Sequence, residues 1–149
     1  WTITTPLMLI STIIFMEYNL IKDKYKKGIQ TKEFLKKNIP EIIQIVILNG
    51  LMLLFGYLGE KNIINKNLSI VIGFVFFFLT FKLIYSRYVN DNSTNIKLFI
   101  FIFIIWSLYG VSATFKGVPK NISYNFLDII AKNFYGLFIY YKILQIKPV

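Results

Sequence analysis

Long apolar stretches separated by short polar ones run the length of this 149-residue chain. Five apolar segments stand out, at about residues 1–16, 42–58, 68–85, 98–115 and 125–144. Each is about the length that a helix needs to cross a hydrocarbon core of ~30 Å. The pattern therefore predicts several membrane-spanning segments.

Helices are favoured over strands for these segments. Runs such as 74–78 and 98–105 are rich in residues that favour strands. The segments are nevertheless apolar on all sides and lack the alternation that a membrane β-barrel requires. With no internal repeat and no soluble-domain boundary, residues 1–149 are predicted to form a single all-α transmembrane domain. Because the first segment has no polar lead-in, we expect the chain to start inside a helix and the domain to be incomplete at its N-terminus.

The composition supports a membrane protein and excludes several classes of function. Hydrophobic residues make up 56% of the chain and aromatic residues 18%, more than a soluble domain of this size buries. The net charge is +10, but the basic residues lie between the apolar blocks and not on one surface interleaved with aromatic residues, so no nucleic-acid partner is expected. The chain has neither cysteine nor histidine, so thiolate or imidazole metal sites and histidine-based catalysis are excluded from it. We predict no metal and no enzymatic activity.

The distribution of lysine and arginine predicts an orientation, because cytoplasmic loops hold the excess of positive charge. If the helices alternate in direction, eleven basic residues fall on one side and four on the other. The richer side includes the segment 17–40, and the four are Lys61, Lys66, Lys116 and Lys120. The protein is therefore predicted to be an integral, multi-pass membrane protein with a cytoplasmic C-terminus.

One stretch of the basic segment has two interpretations. Residues 31–37 could form a short interfacial helix with Phe34, Leu35 and Ile39 turned toward lipid. They could equally be a solvated basic loop.

The strongest chemical signal lies in the last apolar segment. Asp128 and Lys132 are four residues apart, which places them on one helix face. A charged group at membrane depth costs at least ~2.5–3.5 kcal/mol, so such residues usually pair and mark a site. A self-neutralising salt bridge is the structural alternative. The functional interpretation is a reactive Lys132 amine, suited to forming an imine with an aldehyde, and an Asp128 carboxylate that balances the charge.

Four motifs in chain order resemble the microbial rhodopsins. Trp1-Thr-Ile-Thr-Thr-Pro-Leu-Met resembles the middle of their third helix, and Leu127-Asp-Ile-Ile-Ala-Lys132 resembles the Leu-Asp-x-x-x-Lys signature of their seventh. Asn49-Gly-Leu-Met-Leu-Leu-Phe-Gly56 resembles the retinal-facing part of helix four, and Trp106-Ser-Leu-Tyr109 the aromatic wall of helix six. The short viral rhodopsins are the most similar in appearance. The resemblance implies a seven-transmembrane-helix bundle, of which this chain covers part of helix three and helices four to seven.

The resemblance also implies a cofactor and its pocket. All-trans retinal would be bound as a Schiff base on Lys132, with Asp128 as a counterion and Trp1 and Trp106 on opposite sides of the polyene. Small residues such as Gly50, Gly56 and Gly73 would let a ring or a neighbouring helix approach. For each aromatic or methionine taken singly, ordinary helix packing is the alternative. The predicted cofactor-binding residues are Trp1, Thr5, Met8, Met52, Gly56, Phe77, Trp106, Tyr109 and Lys132.

The function implied by the resemblance is light-driven ion transport. Thr4 lies where relatives have a threonine that bonds the primary proton acceptor, although it could simply bond back within its helix. Ser11 occupies the position of the proton donor and cannot act as a carboxylic acid. Gly110 replaces a kinking proline, and no acidic residue lies between Asp91 and Asp128. An outward proton pump is the first hypothesis, a light-gated cation channel the second and a sensory photoreceptor the third. The expected partners are the lipid bilayer, the transported proton or cation and further copies of the chain.

Overall fold

The computed structural model describes residues 1–25 and 31–144, and every regular element in this part of the chain is helical. Two of the helices continue directly into π-helical segments, in which the backbone is wound more loosely than in an α-helix. The elements are α1 (Thr4–Tyr25), α2 (Thr31–Lys37), α3 (Ile39–Glu60), α4 (Lys66–Ile84) with a first π segment (Tyr85–Val89), α5 (Ser93–Ser112), α6 (Gly117–Asp128) with a second π segment (Ile129–Phe134), and α7 (Tyr135–Leu144).

Within the described residues, four helices are long and apolar enough to cross a membrane by length and composition: α1 over Thr4–Ile21, α3, α4 with its π segment, and α5. The fifth predicted segment is also helical, but it consists of α6, the second π segment and α7 in succession. Large apolar side chains such as Ile47, Val75 and Ile104 are exposed along these helices, as expected of surfaces that face lipid. The all-helical membrane fold predicted from the sequence is therefore present.

The chain divides into two compact units, Trp1–Ile100 and Phe101–Val149. In the first unit, α3 and α4 form an antiparallel hairpin joined by a turn in which Asn62 adopts a positive φ of 56°. Asn65 caps α4, because its side-chain oxygen accepts hydrogen bonds from the backbone N–H groups of Asn67 and Leu68 at 2.9 and 3.3 Å. The cap fixes where the second helix of the hairpin begins.

Gly59 and Ser69 bring α3 and α4 into close contact near this turn. The Ser69 hydroxyl donates a hydrogen bond to the Phe55 carbonyl at 2.5 Å. A Cβ added to Gly59 would overlap the Ser69 side chain, whereas a Cβ at Gly73 would meet only the Met52 carbonyl oxygen, at 3.7 Å. Helix-facing glycines of this kind allow backbones in a membrane to pack closely.

Gly59→Ala is therefore expected to lower the free energy of unfolding by about 1–3 kcal/mol, because the new methyl group overpacks the α3–α4 contact. Gly50→Ala, on the same helix with no described atom within 4 Å of the added Cβ, is the matched control and should be neutral or slightly stabilising. Thermal unfolding followed by circular dichroism measures both. Ser69→Gly should rescue Gly59→Ala, and equal stabilities of the two alanine variants would contradict this account.

A fully buried asparagine, Asn95, joins α1, the first π segment and α5. Its side-chain nitrogen donates to the carbonyl oxygens of Met16 at 2.9 Å and Tyr88 at 3.0 Å. Its side-chain oxygen accepts from the Asn19 amide at 2.8 Å. The buried amide thus has hydrogen-bond partners at both of its ends, as a buried polar side chain requires.

Asn95→Ala is expected to destabilise the protein by about 2 kcal/mol, because the three hydrogen bonds of this buried amide are lost. Asn67→Ala, which removes an exposed asparagine side chain from the first turn of α4, is the control and should change stability by less than about 0.5 kcal/mol. Unfolding in a denaturing detergent would compare the two. A loss of stability for Asn95→Ala no larger than that of the control would show that the hydrogen bonds of Asn95 do not stabilise the fold.

The short helix α2 corrects one expectation. Residues 31–37 are helical, but Phe34 is only 5% exposed and packs edge-on against Tyr88, with ring centroids 6.2 Å apart. The prediction that Phe34 faces lipid is therefore wrong, because the first π segment offers a buried aromatic surface that the sequence pattern did not reveal. Leu35 is half-buried, and Ile39 is 49% exposed as expected.

Candidate functional site

The candidate site is centred on the second π segment, where Lys132 lies one turn after Asp128. Asp128 is the last residue of α6, and Lys132 is the fourth residue of the π segment. The Lys132 Nζ lies 2.7 Å from the Asp128 Oδ2. Both side chains are 31% exposed, so the ion pair is only partly buried. Such π segments within longer helices occur frequently at functional sites.

Tyr109, on α5, completes the arrangement. Its hydroxyl donates a hydrogen bond to the Asp128 Oδ1 at 2.5 Å, and the Lys132 amine donates one to the Oδ2. Its ring also stacks on Tyr124 of α6, with centroids 6.0 Å apart. Both carboxylate oxygens therefore have donors, and the orientation of the carboxylate is fixed from two helices.

This arrangement can hold a positive charge at the lysine nitrogen. A charge in an apolar helix is costly unless it is paired and hydrogen-bonded. Here the carboxylate of Asp128 provides the opposite charge, and the Tyr109 hydroxyl stabilises that carboxylate without adding charge of its own. A primary amine can form an imine with an aldehyde, and the fixed anion would stabilise that imine in its protonated, cationic form.

Buried residues lie next to the site residues along the chain. Leu127, Ala131 and Tyr135 are each about 5–6% exposed and flank the ion pair along the chain. Trp106 lies three residues before Tyr109, so the two project from neighbouring positions on α5. Trp106 is 8% exposed, and its place in an aromatic wall stays a prediction.

Three of the predicted cofactor-binding residues, Trp1, Thr5 and Met8, lie at or near the start of α1. Thr5 donates to the Trp1 carbonyl at 2.9 Å and accepts a hydrogen bond from the Asn49 amide at 3.0 Å. Trp1 is 47% exposed, and Met8 is half-buried. The bond between Thr5 and Asn49 links α1 to α3.

The remaining predicted positions lie on α3 and α4. Phe77 is buried and packs against Phe81, with ring centroids 4.5 Å apart. Met52 is half-buried, and a Cβ at Gly56 would meet no described atom within 4 Å. Phe77 therefore contributes to helix packing, the alternative weighed for it from the sequence. Its role in a pocket stays a prediction, as do those of Met52 and Gly56.

The two predicted proton-transfer positions lie on α1. Thr4 is exposed at the start of the helix. The Ser11 hydroxyl donates to the Met8 carbonyl at 2.8 Å, the bond expected of a serine that bonds back within its own helix.

Asn49 and Tyr124 were not predicted as site residues. Asn49 is fully buried, and its side-chain oxygen has no hydrogen-bond partner among the residues that the structure describes. An asparagine in the middle of an apolar helix is a detectable signal, since its amide needs partners there. Tyr124 carries no comparable signal, because its stacking on Tyr109 depends on how α5 and α6 meet.

The helices and the lysine–carboxylate–tyrosine group define an integral, multi-pass membrane protein with an amine site inside an apolar helix. The chain belongs to the family described as bacteriorhodopsin-like proteins, whose model matches residues 1–146. Its structure is similar to the crystal structure of the viral rhodopsin OLPVRII, with a TM-score of 0.81 and 31% sequence identity. The match covers 96% of this chain and 64% of that protein, so the chain spans just under two thirds of its length. Comparison with the curated proteins gave no match.

These matches confirm the resemblance to microbial rhodopsins, and to viral rhodopsins among them. Membership of the family implies a retinal chromophore. The residues described above fit retinal. Imine formation with its aldehyde requires a primary amine, which Lys132 has. The cationic imine requires a nearby anion, which Asp128 supplies at 2.7 Å from the Lys132 nitrogen.

Proposed function

We propose that this chain is the retinal-binding part of a light-driven outward proton pump, with all-trans retinal attached to Lys132. The observation that supports the proposal most strongly is the three-residue arrangement in the second unit. In it, one carboxylate accepts both from the attachment amine and from a tyrosine hydroxyl. A salt bridge that only neutralised itself would not need the second donor.

Each residue of the arrangement has a distinct part in the mechanism. Retinal, when bound, supplies the absorption of visible light and the isomerisation that follows. Lys132 holds the attachment point within the apolar helix, and Asp128 balances the positive charge at its nitrogen. Tyr109 keeps the carboxylate oriented toward that nitrogen, so the charge is balanced at a fixed position.

The wider assignment rests on the family resemblance. We propose that α1 corresponds to the third helix of a seven-helix bundle and that the later membrane-spanning helices correspond to helices four to seven. Trp1, Thr5, Met8, Met52, Gly56, Phe77 and Trp106 would then contribute to the retinal pocket. Thr4 would lie near the primary acceptor. The lysine distribution supports a cytoplasmic C-terminus, and association with further copies of the chain belongs to the same proposal.

Pumping can be tested in cells that express the protein and are supplied with retinal in unbuffered medium. Illumination is expected to acidify the medium, and a protonophore should abolish the change. The same cells carrying Lys132→Ala should give no response. An unchanged pH in cells whose membranes contain the coloured protein would refute the pump.

A light-gated cation channel is the second candidate, and Ser11 favours it. A serine hydroxyl bonded to its own helix does not replace a carboxylic proton donor. Voltage-clamp recordings separate the two functions, because a channel current reverses with the ion gradient and a pump current keeps its sign. Ser11→Asp should speed the return to the dark state in a pump, since it restores a carboxyl group at the donor position.

A further inference from the structure

A basic surface and an apolar row meet where α2 joins α3. Lys32, Lys36 and Lys37 are exposed on α2, and we refer to them as the α2 basic patch. Only Asn38 separates α2 from α3, and its backbone N–H and side-chain amide both donate to the Phe34 carbonyl. The chain therefore continues from one helix to the next with a fixed join.

Phe34 determines which side of α2 is available to a partner. Its ring is buried against Tyr88, so one side of this short helix is held against the protein. The three lysines are all outside this contact. The α2 basic patch is thus held in place by a buried anchor, unlike lysines in an unstructured loop.

The apolar row begins directly after the patch. Ile39, Ile43 and Ile47, the isoleucine row, are 49%, 50% and 54% exposed. Their spacing of four places them on one face of α3, over about 12 Å of helix length. α3 is long and apolar enough to cross a membrane, and an exposed apolar face on such a helix is suited to contact with lipid.

The acidic side chains nearby leave the patch positive. Glu33 is exposed on α2 and offsets one lysine. Glu41, on the first turn of α3, pairs with Arg87 at 3.6 Å, so the two charges balance each other. Within α2 itself, three lysines against Glu33 leave two net positive charges at the end of the apolar row.

We propose that the α2 basic patch and the isoleucine row form a binding site for an anionic phospholipid. The lysines contact the headgroup phosphate, and an acyl chain lies along the isoleucines. Each half of the site matches one half of that ligand: ammonium groups attract an anionic headgroup, and an exposed apolar row at membrane depth accepts hydrocarbon. A soluble anion would use only the lysines.

The test uses the full chain purified in detergent, with bound lipid counted by native mass spectrometry. Phosphatidylglycerol is expected to bind more tightly than phosphatidylcholine with the same acyl chains. Lys32→Gln combined with Lys36→Gln should weaken phosphatidylglycerol binding roughly 25-fold, about fivefold per lysine, at low salt. Lys32→Arg combined with Lys36→Arg keeps both charges and should retain the preference.

The matched control neutralises Lys61 and Lys66, which lie at the other end of the α3–α4 hairpin. This pair of glutamine substitutions removes the same charge and should leave phosphatidylglycerol binding within about twofold. Glycerol phosphate at the same concentration should not displace the lipid, because it has no acyl chain for the isoleucine row. Equal binding of both lipids, an equal loss in the control, or displacement by glycerol phosphate would each overturn the proposal.

Discussion

Replacing Lys132 with arginine is expected to abolish visible absorbance in retinal-supplemented membranes while leaving the helices folded. A guanidinium group keeps the positive charge and can still pair with the Asp128 carboxylate. It does not form an imine, so retinal has no attachment point. The absorbance spectrum measures pigment formation, and circular dichroism measures helix content.

This substitution separates the two interpretations of the Asp128–Lys132 pair. If the pair were only a salt bridge, arginine would be tolerated and pigment formation would not depend on it. Lys82→Arg, an exposed lysine on α4, is the matched control and should leave the visible band unchanged. A visible band in Lys132→Arg as strong as that of the control would remove the basis of the proposed function.

Asp128→Asn is expected to reduce the yield of pigment about tenfold. The amide has no negative charge, so the positive charge at the Lys132 nitrogen loses a partner that lies 2.7 Å away in the parent protein. Hydrogen bonds to charged groups contribute about 1.5–3 kcal/mol, and we take the lower end because both side chains are about one third exposed. The ratio of visible to ultraviolet absorbance in purified protein gives the yield.

Two further variants define the cause of that loss. Tyr109→Phe removes one hydrogen bond and no charge, so its effect should be smaller than that of Asp128→Asn. Asp91→Asn removes an exposed carboxylate outside the site and should have no effect. Normal pigment in Asp128→Asn would show that another group balances the charge at Lys132.

Much of the fold was predictable because membrane helices follow from local composition. Long apolar runs without alternation predict crossing helices, since a backbone in hydrocarbon must satisfy its own hydrogen bonds. The contact between Asp128 and Lys132 was predictable for a similar reason, because a four-residue spacing on a helix fixes which side chains meet. The ends of the helices were less predictable, because α1 continues to Tyr25, well beyond the apolar run that ends near residue 16.

The features that the sequence did not predict depend on pairs of elements. Nothing near Asn95 indicates that its amide joins three segments, and nothing near Gly59 indicates that Ser69 lies against it. The burial of Phe34 likewise requires the Tyr88 ring, 54 positions later in the chain by their residue numbers. These interactions arise from how helices pack, which a pattern along one helix does not describe.

The second π segment also determines how this protein should be compared with its relatives. Each residue of an α-helix turns the chain by about 100°, so a segment that accommodates one extra residue rotates every side chain after it by that amount. The backbone of α7 is therefore rotated relative to a straight helix that starts at Gly117. An alignment with a relative that lacks this segment needs a one-residue gap close to Lys132. Without that gap, functional roles would be transferred to the wrong face of α7.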